Sequence, residues 1–365
     1  MINFPCERIL GGGKKNTQSK LPIKMFFLGI VVLGMSFYCF RPANDASALT
    51  VSPPTYEIGV DPGQSVTTGL KVFNETTQGG TFYFDTQNFT ARGEDGEPDF
   101  AQETTKTDLA SWIQVPPSID LAPNELKEIN FSINVPANAD PGGHYAAIFL
   151  TTSPGAPGGG AGSVGLTGKI GSLVLLRVSG NIVEEGKLSS FSVGNKNNFY
   201  DRLPVDFNIR IENPGTVFIK PSGKITISNI FGLKSAELTV NIGKMPDGNY
   251  KPVGNILSNS ARKFESSWIK SDFGSAPNNF FDELKFELAN FALGRYTAKL
   301  DLAYGAKNDK KIAGSLVFWV FPWRIILVGF VMIAVVLLLL IGGIRKYNRW
   351  VIKMARESLE KESKK

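Results

Sequence analysis

The 365-residue chain carries 39 Lys/Arg against 33 Asp/Glu, a formal net charge of +6, with two cysteines and one histidine. The charge is unevenly placed: residues 1–48 carry net +4, residues 49–322 net −4 and residues 323–365 net +6. The basic balance therefore belongs to the two ends, so the basic pI is no evidence for nucleic-acid binding, and no nucleic-acid partner is expected of the mildly acidic middle.

Residues 1–48 read as a signal peptide. A basic region up to Lys24 precedes an uncharged apolar run, Met25–Phe40, then Arg41-Pro42 and Ala46-Ser47-Ala48. That order is the secretory layout, and it predicts cleavage after Ala48, with Ala46 and Ala48 as the small residues the peptidase needs. An uncleaved signal anchor is the alternative. Cys6 and Cys39 both precede the cleavage point, so the mature chain holds no thiol for zinc, disulfides or nucleophilic chemistry. Ser36-Phe37-Tyr38 are too bulky to make Cys39 a lipoprotein cysteine.

Residues 49–322 show short alternating apolar runs divided by Gly, Pro, Asn and Asp, the all-β pattern. Over 49–186 the runs include Tyr56–Val60, Val66–Phe73, Trp112–Val115, Tyr145–Thr152 and Gly171–Val178. Over 187–322 they include Val205–Glu212, Lys224–Ile230, Glu283–Leu288 and Arg295–Tyr304. The predicted fold is all-β: two tandem immunoglobulin-like β-sandwiches, membrane-distal at 49–186 and membrane-proximal at 187–322, followed by a single C-terminal transmembrane α-helix.

That helix is predicted over 323–344. Ile325–Ile344 carries no charge, and at ~1.5 Å per residue it spans the ~30 Å hydrocarbon layer. Trp319 and Trp323 are expected at one membrane interface and Arg345, Lys346 and Arg349 at the other. The positive-inside rule puts the basic tail, 345–365, in the cytoplasm and the middle outside the plasma membrane. The tail reads either as an amphipathic helix on anionic headgroups or as a solvated stop-transfer segment.

No catalytic set, cofactor motif or assigned metal site emerges. A Ser–His–Asp triad would need His144, which stands between Gly143 and Tyr145, and no Gly-x-Ser-x-Gly elbow occurs. The Gly-rich stretch Pro154–Gly168 lacks Gly-Lys-Ser/Thr and reads as a loop between two apolar strands. Glu94-Asp95-Gly96-Glu97-Pro98-Asp99 offers oxygens to Ca²⁺, but its spacing is not that of an EF-hand, and an acidic solvated turn is the competing reading. Asn74, Asn88 and Asn130 open glycosylation sequons. Trp112, Trp268 and Tyr83 could stack on sugars or serve as core.

Several clusters carry a family resemblance. Trp112-Ile113, Leu121-Ala122-Pro123-Asn124-Glu125, Val135-Pro136 and Pro141-Gly142-Gly143-His144-Tyr145-Ala146-Ala147-Ile148 follow in order, and the pattern resembles the peptidoglycan-binding domain of WxL-interacting proteins. Glu212-Asn213-Pro214-Gly215-Thr216, Lys220–Ile225 and Gly294–Ala298 suit the membrane-proximal sandwich of similar proteins. The resemblance implies a Gram-positive surface protein with a C-terminal anchor, associated with the cell wall and with partner surface proteins. It transfers no ligand residues. The expectation is a non-enzymatic, membrane-anchored protein that binds a cell-wall polymer or a surface protein. The alternatives are a membrane-tethered chaperone or assembly accessory using strand addition, and a tethered carbohydrate-active enzyme.

Overall fold

In Val205–Asn213, the residues Val205, Phe207, Ile209 and Ile211 are buried and Asp206 is exposed. Side chains of a strand alternate between faces, so this order drives one face onto a core and leaves the other to water. The same pattern repeats along the chain. The computed structural model describes residues 49–100, 108–152, 169–195, 197–245, 248–271 and 279–363. The signal segment with Ala46 and Ala48, and the Gly-rich loop Pro154–Gly168, lie outside the described residues.

The first sandwich uses β1 (Leu49–Ser52), β2 (Thr55–Val60), β3 (Ser65–Asn74), β4 (Gly80–Asn88), β5 (Thr90–Arg92), β6 (Glu97–Asp99), the helical turn α1 (Leu109–Trp112), β7 (Ile113–Gln114), β8 (Ser118–Leu121), β9 (Leu126–Asn134), β10 (Gly142–Thr151) and β11 (Ile170–Val178). One sheet has the order β1-β3-β9-β7 and the facing sheet β2-β11-β10-β4-β8. Leu70, Val72, Phe131, Ile133, Ile148 and Leu176 fill the space between them.

The second sandwich uses β12 (Lys187–Val193), β13 (Phe199–Tyr200), β14 (Val205–Asn213), β15 (Ser222–Asn229), β16 (Lys234–Val240), β17 (Ile242–Lys244), β18 (Tyr250–Pro252), β19 (Ser260–Trp268), helix α2 (Phe280–Ala289), β20 (Gly294–Tyr304) and β21 (Lys310–Val320). Its sheets run β12-β14-β19 and β13-β21-β20-β15-β16 around Phe207, Ile225, Trp268, Leu300 and Phe318. Helix α3 (Trp323–Ser363) follows after two residues. It continues through the basic tail as one helix, and its first 34 residues are long and apolar enough to cross a membrane.

Two segments depart from the predicted strands. Glu283–Leu288 is helical, inside α2. Asn279 caps that helix by accepting from the Asp282 amide at 2.9 Å, and Asp282 and Glu283 suit the positive end of the helix dipole. Within Trp112–Val115, Trp112 closes the helical turn α1 and only Ile113–Gln114 is strand.

Each sandwich is pinned by a buried asparagine at a strand end. Asn74 donates its Nδ2 to the carbonyls of Gln78 (2.9 Å) and Ala122 (3.0 Å) and accepts from the Thr76 amide. Asn213 donates to Val217 (2.8 Å) and Ile256 (2.9 Å) and accepts from the Gly215 amide. A buried amide satisfied on both sides ties loops that have no sheet partner. The Asn74 sequon thus has its amide spent inside the fold.

Candidate functional site

Both sandwiches and α3 belong to one compact unit, Leu49–Lys365. The acidic loop Glu94–Asp99, the metal candidate of the sequence, lies on the β5–β6 hairpin and turns onto the second sandwich. The Glu94 carboxylate meets Arg210 Nε at 2.8 Å and Lys263 Nζ at 2.9 Å. The Glu94 carbonyl also accepts from the Lys263 amide at 2.8 Å, on the edge of β19. Hydrogen bonds from Lys263 and then Arg210 hold the Glu94 carboxyl below its ordinary value of 4.5. Its charge is spent on a protein clamp, and among the described residues no group of three or more His, Cys, Asp or Glu could hold a metal ion.

Two clusters of the family resemblance meet at this junction. The Gly143 amide donates to the Thr216 carbonyl at 2.8 Å. Gly142 sits at φ +148°, and a Cβ there would stand 3.1 Å from that same carbonyl, so glycine permits the close approach. Tyr145 hydroxyl accepts from the Ser258 amide at 3.1 Å, and burial pushes its phenol up from the ordinary 10.0. Lys220 pairs with Glu57 at 2.5 Å, Asn255 donates to Glu57 at 3.0 Å, and Arg177 pairs with Glu184. A cavity of about 200 Å³ remains between the hairpin, β11 and residues 253–262, lined by Phe89, Pro98, Leu175, Ile256 and Arg262 among others.

A second concavity, of about 500 Å³, lies on the first sandwich. Asp108, Ser111, Trp112, Asn138, Asp140 and His144 line it. Trp112 is only 7% exposed, and its ring centroid is 4.8 Å from that of His144, whose Nε2 is 2.9 Å from the Asp140 carbonyl oxygen. Trp112 is therefore a packed wall and not a free stacking platform. Trp268 is core, 1% exposed and 5.0 Å from the Tyr296 ring, and Tyr83 is half-buried. What the groove offers is a fixed imidazole with carboxylates, an amide and a hydroxyl, groups that suit a hydroxyl-rich ligand.

At the other end of the second sandwich, Trp319 and Trp323 are 48% and 45% exposed. Between them and the apolar run stands Arg324, whose guanidinium lies 4.8 Å from the centre of the Trp323 ring and ion-pairs with Glu287 (2.6 Å), Glu283 (2.9 Å) and Asp201 (3.3 Å). Arg345, Lys346 and Arg349 are exposed on α3, and Arg345 stands ~33 Å further along the helix than Trp323. The structure thus brings the two tryptophans to one place and the three basic residues to another. Sequence reasoning passed over Arg324. Its signal was a lone charge at the mouth of an apolar run, six residues of acid-bearing helix having been read as strand.

No family model and no curated protein matches the sequence. Solved structures similar to the chain include the class 5 fimbriae chaperone CfaA, at 11% identity over 73% of this chain and 98% of that one, with a TM-score of 0.34. The CsuC–CsuE chaperone–tip adhesion subunit pre-assembly complex of Acinetobacter baumannii is similar at 12% identity, over 74% of this chain and 98% of that one, with a TM-score of 0.32. The Salmonella enterica SafA pilin in complex with the SafB chaperone is similar at 10% identity, over 76% and 98%, with a TM-score of 0.31.

Proposed function

We propose that the chain is a non-enzymatic surface protein, anchored in the plasma membrane by residues 323–344, whose two sandwiches act as one rigid arm to bind a cell-wall polymer or a partner surface protein. The carrying observation is the clamp: a hairpin of the first sandwich is hydrogen-bonded to the edge of the second, and the second runs into the apolar helix after two residues. An arm jointed this way transmits position from the membrane to its tip. In this reading Trp319 and Trp323 sit at the outer interface, Arg345, Lys346 and Arg349 at the inner one, and 345–365 in the cytoplasm. The polar groove around His144 is the contact point for the polymer, and the resemblance to WxL-interacting proteins makes that polymer a Gram-positive wall component.

The test is co-sedimentation of the full chain in nanodiscs with purified peptidoglycan, paired with cross-linking on intact cells. Wild type is expected to sediment with the polymer, and His144→Ala with Asp140→Ala to weaken it at least tenfold. Binding to neither polymer nor surface protein sinks the proposal. Release of reducing ends from the polymer would instead mark a tethered hydrolase.

A second reading, assembly by strand addition, has a specific foothold. Apolar β11 is guarded on its outer side by the six-residue β2 alone, through a parallel pairing from Leu173↔Thr55 to Val178↔Val60. Parallel pairs are slightly the weaker kind, and a departing β2 would leave β11 an open edge for a client. A disulfide between Tyr56→Cys and Val174→Cys would lock the edge. Surface assembly that is unchanged by the lock excludes this reading.

A further inference from the structure

We propose that the base of the second sandwich is a lipid-facing surface, with the 230–233 turn and helix α2 seated in the interface of the bilayer that α3 crosses. The inference rests on the reading of α3 as a membrane span.

Strand register identifies the base. Gly294 pairs with Val320, Phe199 with Trp319 and Asn229 with Tyr296, so the β15–β16 turn, β13 and the start of β20 all lie at the end where α3 leaves. Ser222↔Ala303 and Tyr304↔Lys310 mark the opposite end.

The turn at the base is Ile230-Phe231-Gly232-Leu233, where water-facing turns favour polar residues. Its three large side chains are 62%, 83% and 65% exposed. Three of its four amides are nevertheless satisfied within the turn. Asn229 Oδ1 accepts from the amides of Phe231 and Leu233, both at 3.0 Å, and the Asn229 carbonyl accepts from Gly232 at 2.9 Å. A loop that satisfies most of its own amides leaves water with fewer bare polar groups, each of which would cost several kcal/mol. Such a loop is built for an apolar or interfacial medium.

Helix α2 repeats the arrangement. Glu283 and Glu287 face Arg324 of α3, which fixes the helix beside the membrane entry. Phe281 and Leu288 are left 71% and 56% exposed. Phe199 and Phe321, with ring centroids 6.5 Å apart, continue the apolar surface to the root of α3. Three separate segments thus present large apolar groups at one level, continuous with a helix apolar enough to span lipid. That continuity selects lipid as the occupant.

The test uses the full chain with Cys6→Ser and Cys39→Ser, in phosphatidylcholine–phosphatidylglycerol nanodiscs. Nitroxide labels are placed one at a time through Phe231→Cys, Phe281→Cys, Tyr250→Cys at the opposite end, and Leu337→Cys within the span. Collision with lipid-soluble oxygen is compared with collision with a water-soluble nickel chelate. The labels at 231 and 281 are expected to meet nickel at least fivefold less than the label at 250. Equal nickel access at 231, 281 and 250, with 337 shielded, overturns the inference and leaves the anchor standing. Nickel access at 337 overturns both. Shielding at 231 and 281 in native membranes but not in nanodiscs assigns the surface to a protein partner, and spin–spin broadening between labelled chains assigns it to a second copy; either overturns the lipid assignment.

Discussion

At one end of the second sandwich Arg210, Lys220 and Lys263 meet carboxylates of the first sandwich; at the other, Ile230, Phe231 and Phe281 are largely exposed. Both ends belong to the same two sheets, so the fold does not dictate the difference. What differs is the medium each end is made for. The upper end is a polar junction, where single part-exposed ion pairs contribute little and position comes from many polar contacts acting with the backbone bonds at Gly143 and Lys263. At the lower end Glu287, Glu283 and Asp201 converge on Arg324, beside the exposed apolar groups.

The largest expected effect breaks the upper end at its buried asparagine. Asn213→Ala removes a donor from the Val217 and Ile256 carbonyls and an acceptor from the Gly215 amide, all inside the fold. At ~1–3 kcal/mol for each buried group left bare, a loss of about 4 kcal/mol is expected. Thermal unfolding of the full chain in detergent checks it, and a change below about 1 kcal/mol would mean that water takes over these bonds.

Next comes the lower end. Arg324→Ala leaves Glu287, 1% exposed, without its cation. Removing one partner of a buried pair costs roughly 3 kcal/mol, and here the cost falls on the docking of α2. Hydrogen exchange in 280–289 should accelerate at least tenfold while β14 and β19 stay protected. Uniform loss of protection across the sandwich would show instead that Arg324 supports the whole domain.

The sheets, the apolar helix and the sandwich architecture were legible because their signals are local: alternation along Val205–Ile211, an uncharged run at Ile325–Ile344. The site was less legible because its signals are pairwise. Nothing in Glu94–Asp99 states that its partners are Arg210 and Lys263, more than a hundred residues away. Nor does anything in the paired glycines at 142–143 state that they serve a backbone contact with Thr216, which only the fold reveals. Helix α2 was missed for a different reason. Phe, Leu and alternating charges over Glu283–Leu288 suit a strand as well as a helix, and the Asn279 cap that decides between them lies outside the run.

The smallest expected effect sharpens the junction through pH. Glu94 is held below its ordinary 4.5 by Lys263 and Arg210, so the clamped form binds fewer protons than a released Glu94. The clamp's contribution is therefore complete above 4.5 and is lost as pH falls through the lowered value. Electron–electron distance measurements between labels at Thr81→Cys and Tyr250→Cys, with the native cysteines replaced, should give one narrow distribution at neutral pH that broadens below pH 4.5. Glu94→Gln should broaden it at every pH while leaving the unfolding temperature nearly unchanged, since each sandwich keeps its own core. A distribution that stays narrow in Glu94→Gln would mean that the Gly143–Thr216 bond and the Glu57–Lys220 pair suffice to hold the arm, making the acidic hairpin a cover for the β19 edge and not a clamp.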